Sequence, residues 1–157
     1  MAMTFERQLQ DRESWTAGER CSVARVLDLL STKTVFLTVR ECFYGTKRFE
    51  DFVERIGTSA PAVSRALKQL EAAGAVQRAP YREPGSRARE EYHLTPAGED
   101  LLPVFLSLMQ WGDAHLQDGK PPLSFFDRQG RPVGVRVTAD ADGPAVCSAD
   151  LEIRYNR

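Results

Sequence analysis

Arg65 and Lys68, flanked by Ser64 and Gln69, are the side chains whose types and spacing most suggest a chemistry, that of donating hydrogen bonds to an anionic partner or a base edge. They lie in Ser59–Gly74 (SAPAVSRALKQLEAAG), opposite Val63, Ala66, Leu67 and Leu70, which recur at the i, i+3, i+4, i+7 spacing of one helical face. Such a helix buries one side and presents donors on the other, beginning with Ser59. A solvated amphipathic helix carries the same pattern, so the neighbouring elements must decide between the two. A second group, Arg82, Arg87 and Arg89, sits in the polar stretch Arg82–Arg89 and suits contact with phosphates or a minor groove, the alternative being a solvated loop. Cys21 stands just before a helix start with Arg20 and Arg25 nearby, a setting that activates thiols, though a small residue at an interface reads the same way. His93 and His115 lack Cys, Asp or Glu partners at ligand spacing and read as structural. With no Gly-rich phosphate loop, Gly-x-Ser-x-Gly elbow or paired carboxylates, neither an enzyme nor a cofactor is expected.

The positioning elements are written around these residues. Thr58 and Ser59 offer N-cap oxygens, Pro61 falls in the first turn, and Gly74 suits the C-cap. Upstream, Phe49, Phe52, Val53 and Ile56 repeat the helical spacing before Gly57, so the turn Gly57-Thr58-Ser59 joins two short helices as a helix-turn-helix. Downstream, Ala75–Tyr81 and Glu90–Leu94 flank Pro84-Gly85 and predict a β-hairpin wing. Lys33–Tyr44 is apolar around most of its circumference, Cys42 included, and reads as the central helix. Ser22–Ser31 carries the stripe Val23, Val26, Leu27 and Leu30, with Ser22 as its cap. Thr95-Pro96 opens a long helix to about Leu116, bent at Pro103. Its apolar residues Leu101, Leu102, Phe105, Leu108, Met109, Trp111 and Leu116 suggest a two-fold subunit interface with the N-terminal helices, or else an intramolecular core.

The 157 residues divide into an N-terminal arm (1–20), a central domain (21–117) and a linker with a small C-terminal β extension (118–157). The arm shows weak helical periodicity through Phe5, Leu9 and Trp15 and needs something to pack on: the body, a second subunit, or nothing if it frays. The extension alternates short apolar runs (Ser124–Phe126, Val133–Val137, Leu151–Tyr155) with Gly, Asp and Pro, too little to fold alone. A net charge of −1 excludes a general nucleic-acid coat but allows a local basic face. No apolar run approaches a membrane span and the first residues carry acids, so no membrane partner and a cytoplasmic location are expected. Three separated cysteines form neither a disulfide framework nor a CxxC metal site.

Several segments in register resemble the HxlR family of bacterial winged-helix transcriptional regulators: Cys21-Ser22-Val23-Ala24-Arg25 with Leu27-Asp28, Phe43-Tyr44-Gly45 with Arg48-Phe49, Leu70-Glu71-Ala72-Ala73-Gly74, and Tyr92-His93-Leu94-Thr95-Pro96-Ala97-Gly98. The resemblance covers about Cys21 to Leu116. It implies a mainly α fold with a small β-hairpin wing, a winged helix-turn-helix with an added dimerisation helix. It also implies a homodimer on a pseudo-palindromic operator in double-stranded DNA, near its own or adjacent genes, and a cysteine sensor of oxidants or electrophiles at the position of Cys21. Two departures stand out. Members commonly have Lys-Trp where this chain has Lys33-Thr34, and some carry a C-terminal zinc ribbon where this chain has Gln129-Gly130 and only Cys147. No metal is therefore expected, because tetrahedral zinc needs about four ligands, and the extension reads as a metal-free relic or a ligand-contacting flap. The resulting expectation is a sequence-specific regulator, a repressor, with a small-molecule effector pocket between the dimer helices and the extension. The alternative is a winged-helix module that binds protein.

Overall fold

The computed structural model describes residues 2–85 and 87–154. Its centre is α2 (Lys33–Phe43), which starts where the Thr32 hydroxyl accepts the Val35 N–H at 3.2 Å and buries Val35 and Val39. Next come α3 (Phe49–Ile56), ended by Gly57 at φ 69°, and α4 (Ala60–Ala72), ended by Gly74 at φ 73°. Ser59 takes the N-cap position of α4 without a side-chain cap bond, and Pro61 occupies the first turn. The inner face of α4 joins both parts of the core: Ala66 and Leu70 pack with Val35, Val39, Ala75 and Val76, while Val63 and Leu67 pack with Phe52. The wing is an antiparallel hairpin of β2 (Val76–Tyr81) and β3 (Arg89–Leu94), in register from Val76↔Leu94 to Tyr81↔Arg89. Tyr92 N–H also donates to the Lys47 carbonyl at 2.8 Å, so the α2–α3 turn adds a short third segment to the sheet.

Four expectations are corrected. First, α1 (Ser22–Leu29) is capped one residue earlier than expected: Cys21 holds the N-cap position, its carbonyl accepting the Arg25 N–H at 3.0 Å. Second, the long helix is two helices. In α5 (Pro96–Glu99) the Thr95 hydroxyl accepts the Gly98 N–H at 3.1 Å, and α6 (Leu102–Leu116) restarts after a break. Pro103 has no N–H to offer the Glu99 carbonyl, so it sits in the first turn of α6 rather than at a bend. Third, the weak helical periodicity of the arm does not make an α-helix, only short 3-10 turns, of which one is Gly18–Arg20. The arm's β1 (Thr4–Phe5) pairs in parallel with β4 (Glu152–Ile153), and a 3-10 turn follows at Arg7–Leu9. Trp15 packs within the arm, its indole N–H donating to the Leu9 carbonyl at 2.9 Å and its ring lying under the Arg12 guanidinium at 4.3 Å.

Fourth, the extension has little strand. Ser124–Phe126 supplies one residue to the isolated bridge Phe126↔Pro132, Val133–Val137 supplies no strand or bridge residue, a second bridge joins Thr138 to Ala145, and of the third run only β4 is a strand, Tyr155 lying outside the described residues. The extension is held as a flap. The Gln110 side chain binds both backbone groups of Val135, at 2.9 and 3.0 Å, and Phe125 sets its edge against Phe105.

The α5 turn packs directly on the end of α4. A Cβ on Gly98 would fall 2.0 Å from the Ala75 carbonyl oxygen and 2.9 Å from Leu94 Cδ2. Gly98→Ala is expected to cost about 1–3 kcal/mol, since the obstacle is backbone; a lowered urea midpoint with unchanged m-value checks this, and an unchanged midpoint contradicts it.

Candidate nucleic-acid interface

Burial of one side of α4 decides what the other side presents. Arg65 and Lys68 are exposed and make no hydrogen bond or ion pair among the described residues, Ser64 is half-buried beside them, and Ser59 is exposed at the helix start. Arg65 borders a notch of about 290 Å³ between α4 and the N-terminus of α2, lined also by Thr32, Thr34 and Ala62. Gln69 departs from the expectation. Its amide nitrogen donates to the Asp28 and Leu29 carbonyls at 3.1 and 2.8 Å, closing the C-terminal end of α1. Its place on the flank of the outward face made it a base-side candidate, and the carbonyls at the end of α1 engage its amide nitrogen.

The arginines of the wing and of the α2–α3 turn beside it divide into two kinds. Arg78 lies between Glu71 and Glu90 at 2.7 and 2.9 Å, tying the hairpin to the end of α4, and the hydrogen bonds it donates to both carboxylates raise its pKa. Arg48 bonds Glu83 and lies over the Tyr81 ring at 4.9 Å, its pKa likewise raised by the Glu83 carboxylate. These two orient the wing. Arg87 and Arg89 are exposed and without partners among the described residues, and Arg82 is exposed on the same tip.

A buried polar network that the sequence reading missed fixes the α2–α3 turn. Glu41, only 4% exposed, accepts from Arg40 at 2.7 Å and from the Thr46 hydroxyl at 2.9 Å, and Arg55 of α3 donates to Thr46 at 2.9 Å. The available signal was a lone acid next to Arg40 inside a largely apolar helix, followed by a small hydroxyl residue after Gly45.

Of the cysteines, Cys42 belongs to the core. Burial, with the Glu41 charge beside it, pushes its thiol up to about 12, which keeps it protonated at neutral pH. Cys21 is half-buried at the head of α1, and Cys147 is exposed. His93 meets Glu91 at 2.7 Å and His115 lies against Trp111. Two apolar stripes are left bare: Val23 and Leu27 of α1 are 67% and 61% exposed, and Leu108 and Trp111 of α6 are 53% and 57% exposed.

Comparison with known proteins places this geometry. The family model described as HxlR-like helix-turn-helix matches residues 29–120. Rv3095 of Mycobacterium tuberculosis, an uncharacterized HTH-type transcriptional regulator, is 38% identical over 101 residues, which are 64% of this chain; the chain spans 63% of that relative's length. Among solved structures, PA1607, a candidate transcription factor, superposes with a TM-score of 0.76 at 28% identity, over 87% of this chain and 96% of its own. That coverage exceeds what residues 29–120 supply, so the likeness takes in part of the flanking segments. The redox regulator HypR in its oxidized form superposes with a TM-score of 0.54 at 29% identity, over 60% of this chain and 97% of its own.

Gln69 separates the two kinds of residue on α4. Gln69→Ala is expected to lower stability by about 1 kcal/mol and to speed amide exchange in α1, without changing discrimination between DNA sequences. A loss of DNA affinity at an unchanged urea midpoint would instead make Gln69 a reader of bases.

Proposed function

Since the chain belongs to the HxlR-like helix-turn-helix family, a family of DNA-binding transcriptional regulators, we propose that it acts as a homodimeric repressor on a pseudo-palindromic operator. In this reading α4 enters the major groove, with Ser59, Ser64, Arg65 and Lys68 towards the bases. Arg82, Arg87 and Arg89 of the wing meet the flanking backbone or minor groove. The carrying observation is that Arg65, Lys68, Arg87 and Arg89 stand exposed and unpaired among the described residues, on the two elements a winged helix brings to DNA, while Arg48 and Arg78 are engaged internally. A net charge of −1 makes such local cations more telling, because the body as a whole has no attraction for a polyanion.

Dimerisation is supported by the bare stripes. Val104, Leu108 and Trp111 lie at i, i+4 and i+7 on one face of α6, and α1 offers Val23, Val26 and Leu27. Covering both in a two-fold contact removes that apolar surface from water and sets two copies of α4 against two half-sites. Redox control at Cys21 rests on the likeness to HypR and on the position of this thiol at the head of α1, the helix that carries one of the stripes.

A mobility-shift titration against the DNA upstream of the gene, at two salt concentrations and with unrelated competitor, tests the reading; binding no tighter than to random DNA contradicts it there. Arg65→Ala is expected to lose about 1–3 kcal/mol of discrimination, and equal losses on operator and random DNA would remove its base-reading role. Arg87→Ala is expected to weaken binding to every sequence and to reduce the salt slope by about one.

For the interface, sedimentation equilibrium of the wild type is expected to give twice the 17.6 kDa chain mass. Leu108→Glu, which buries a charge in the contact, is expected to give the chain mass alone. A dimer that survives this substitution places the interface elsewhere.

A further inference from the structure

We infer that the cleft between α6 and the C-terminal flap is a binding site for a small apolar organic cation. The cleft holds about 450 Å³, within the size range of small-molecule sites, and its walls are largely apolar, with Leu106 and Met109 on α6 facing Phe125, Phe126 and Val133 on the flap. Among the described residues Asp113 is the one ionisable side chain in the lining. It is half-buried, and it makes no hydrogen bond or ion pair among the described residues. Its carboxylate lies near Tyr44, whose hydroxyl pKa is raised by burial, with Asp113 among the charges adding to the rise. The cation over that ring, Arg40 at 5.8 Å, is itself engaged with Glu41 at 2.7 Å.

The cleft therefore combines a carboxylate lacking a counter-ion with aromatic side chains. A cation with an apolar body satisfies both, by ion pairing and by cation–π contact. A neutral ligand of the same shape would leave Asp113 desolvated with no partner, and an anion would be repelled. The site is also pre-formed, because the two-point bond between Gln110 and Val135 holds the flap on α6.

The cleft does not compete with the proposed dimer contact. Leu106, Met109 and Asp113 recur at i, i+3 and i+7 on α6, across the helix from Val104, Leu108 and Trp111. Binding itself needs no DNA; only its service as an effector site rests on the regulator reading.

The test is calorimetric titration of the full chain, without DNA, using benzyltrimethylammonium, its neutral carbon isostere neopentylbenzene, and phenylacetate. The expected result is that the cation binds at least about tenfold tighter than the neutral isostere and that phenylacetate does not bind. Asp113→Asn, nearly isosteric, is expected to abolish the preference while the circular dichroism spectrum and melting temperature stay at wild-type values. Phe126→Ala, at an exposed position, is expected to weaken the cation in the folded protein whatever Asp113→Asn does to stability. Equal binding of cation and isostere, a preference that survives Asp113→Asn in the folded protein, or no binding of the cation would each overturn the proposal. Because no operator is present, failure here is distinct from failure of the DNA-binding reading.

Discussion

What α4 presents to a partner follows from the burial of its opposite face. Val63, Ala66, Leu67 and Leu70 are each no more than 1% exposed, in contact with α2, α3 and the start of the wing. Burying a Val or Leu side chain contributes about 1.5–3 kcal/mol. At about 100° per residue, rotating α4 by a single position would carry much of that stripe toward water. The rotation of the helix is thus set by its apolar side, and Arg65 and Lys68 face solvent without any polar contact among the described residues holding them there. Side chains with no internal obligations are the ones free to meet a ligand.

The wing is oriented by a different kind of constraint. Glu41 is a carboxylate out of reach of bulk water, satisfied by Arg40 and Thr46, and removing one partner of a buried charge typically costs about 3–5 kcal/mol. Through Thr46 and Arg55 the same network joins the end of α2 to α3. One residue further on, Lys47 offers its carbonyl to Tyr92 of β3. The turn that sets the angle between the helices is therefore also the turn that anchors the hairpin, which adds to the packing of Ala66 and Leu70 of α4 with Val76 of β2 in holding α4 and the wing in a fixed relation. Arg78, held by Glu71 and Glu90, closes the other side of that junction.

What was legible in the sequence is what a single period or a single cap can encode. The stripes of α2, α3 and α4, the Gly57 and Gly74 stops and the hairpin around Pro84-Gly85 all depend on residues within one or two turns of each other, and all are found where expected. The misreadings share the opposite character. Residue spacing gave no sign that the arm would pair with residues 152–153, because nothing near Thr4 and Phe5 announces a partner so distant in the chain. Nor does spacing show that the Gln69 amide donates to the carbonyls of Asp28 and Leu29, some forty positions earlier. Pro103 was read as a bend where it marks a break, because the choice depends on Gly98 fitting against Ala75 so that α5 can stop short.

That break has a consequence for α6. A helix continuing straight from α5 would have its faces dictated by the packing of Gly98, whereas a restarted helix can take its own direction. Among its described residues α6 buries only Phe105, which stacks on Phe43 and meets Tyr44 and Phe125 at its edges. One anchor leaves two long faces for other uses: Leu106, Met109 and Asp113 toward the flap, and Val104, Leu108 and Trp111 toward open solvent. Four turns of α-helix move as one body. In the proposed dimer, a ligand that shifts the cleft-facing side must therefore carry the stripe with it, and with the stripe the separation of the two α4 helices. The coupling needs no chain of intermediate contacts, only the stiffness of a single helix pinned at Phe105.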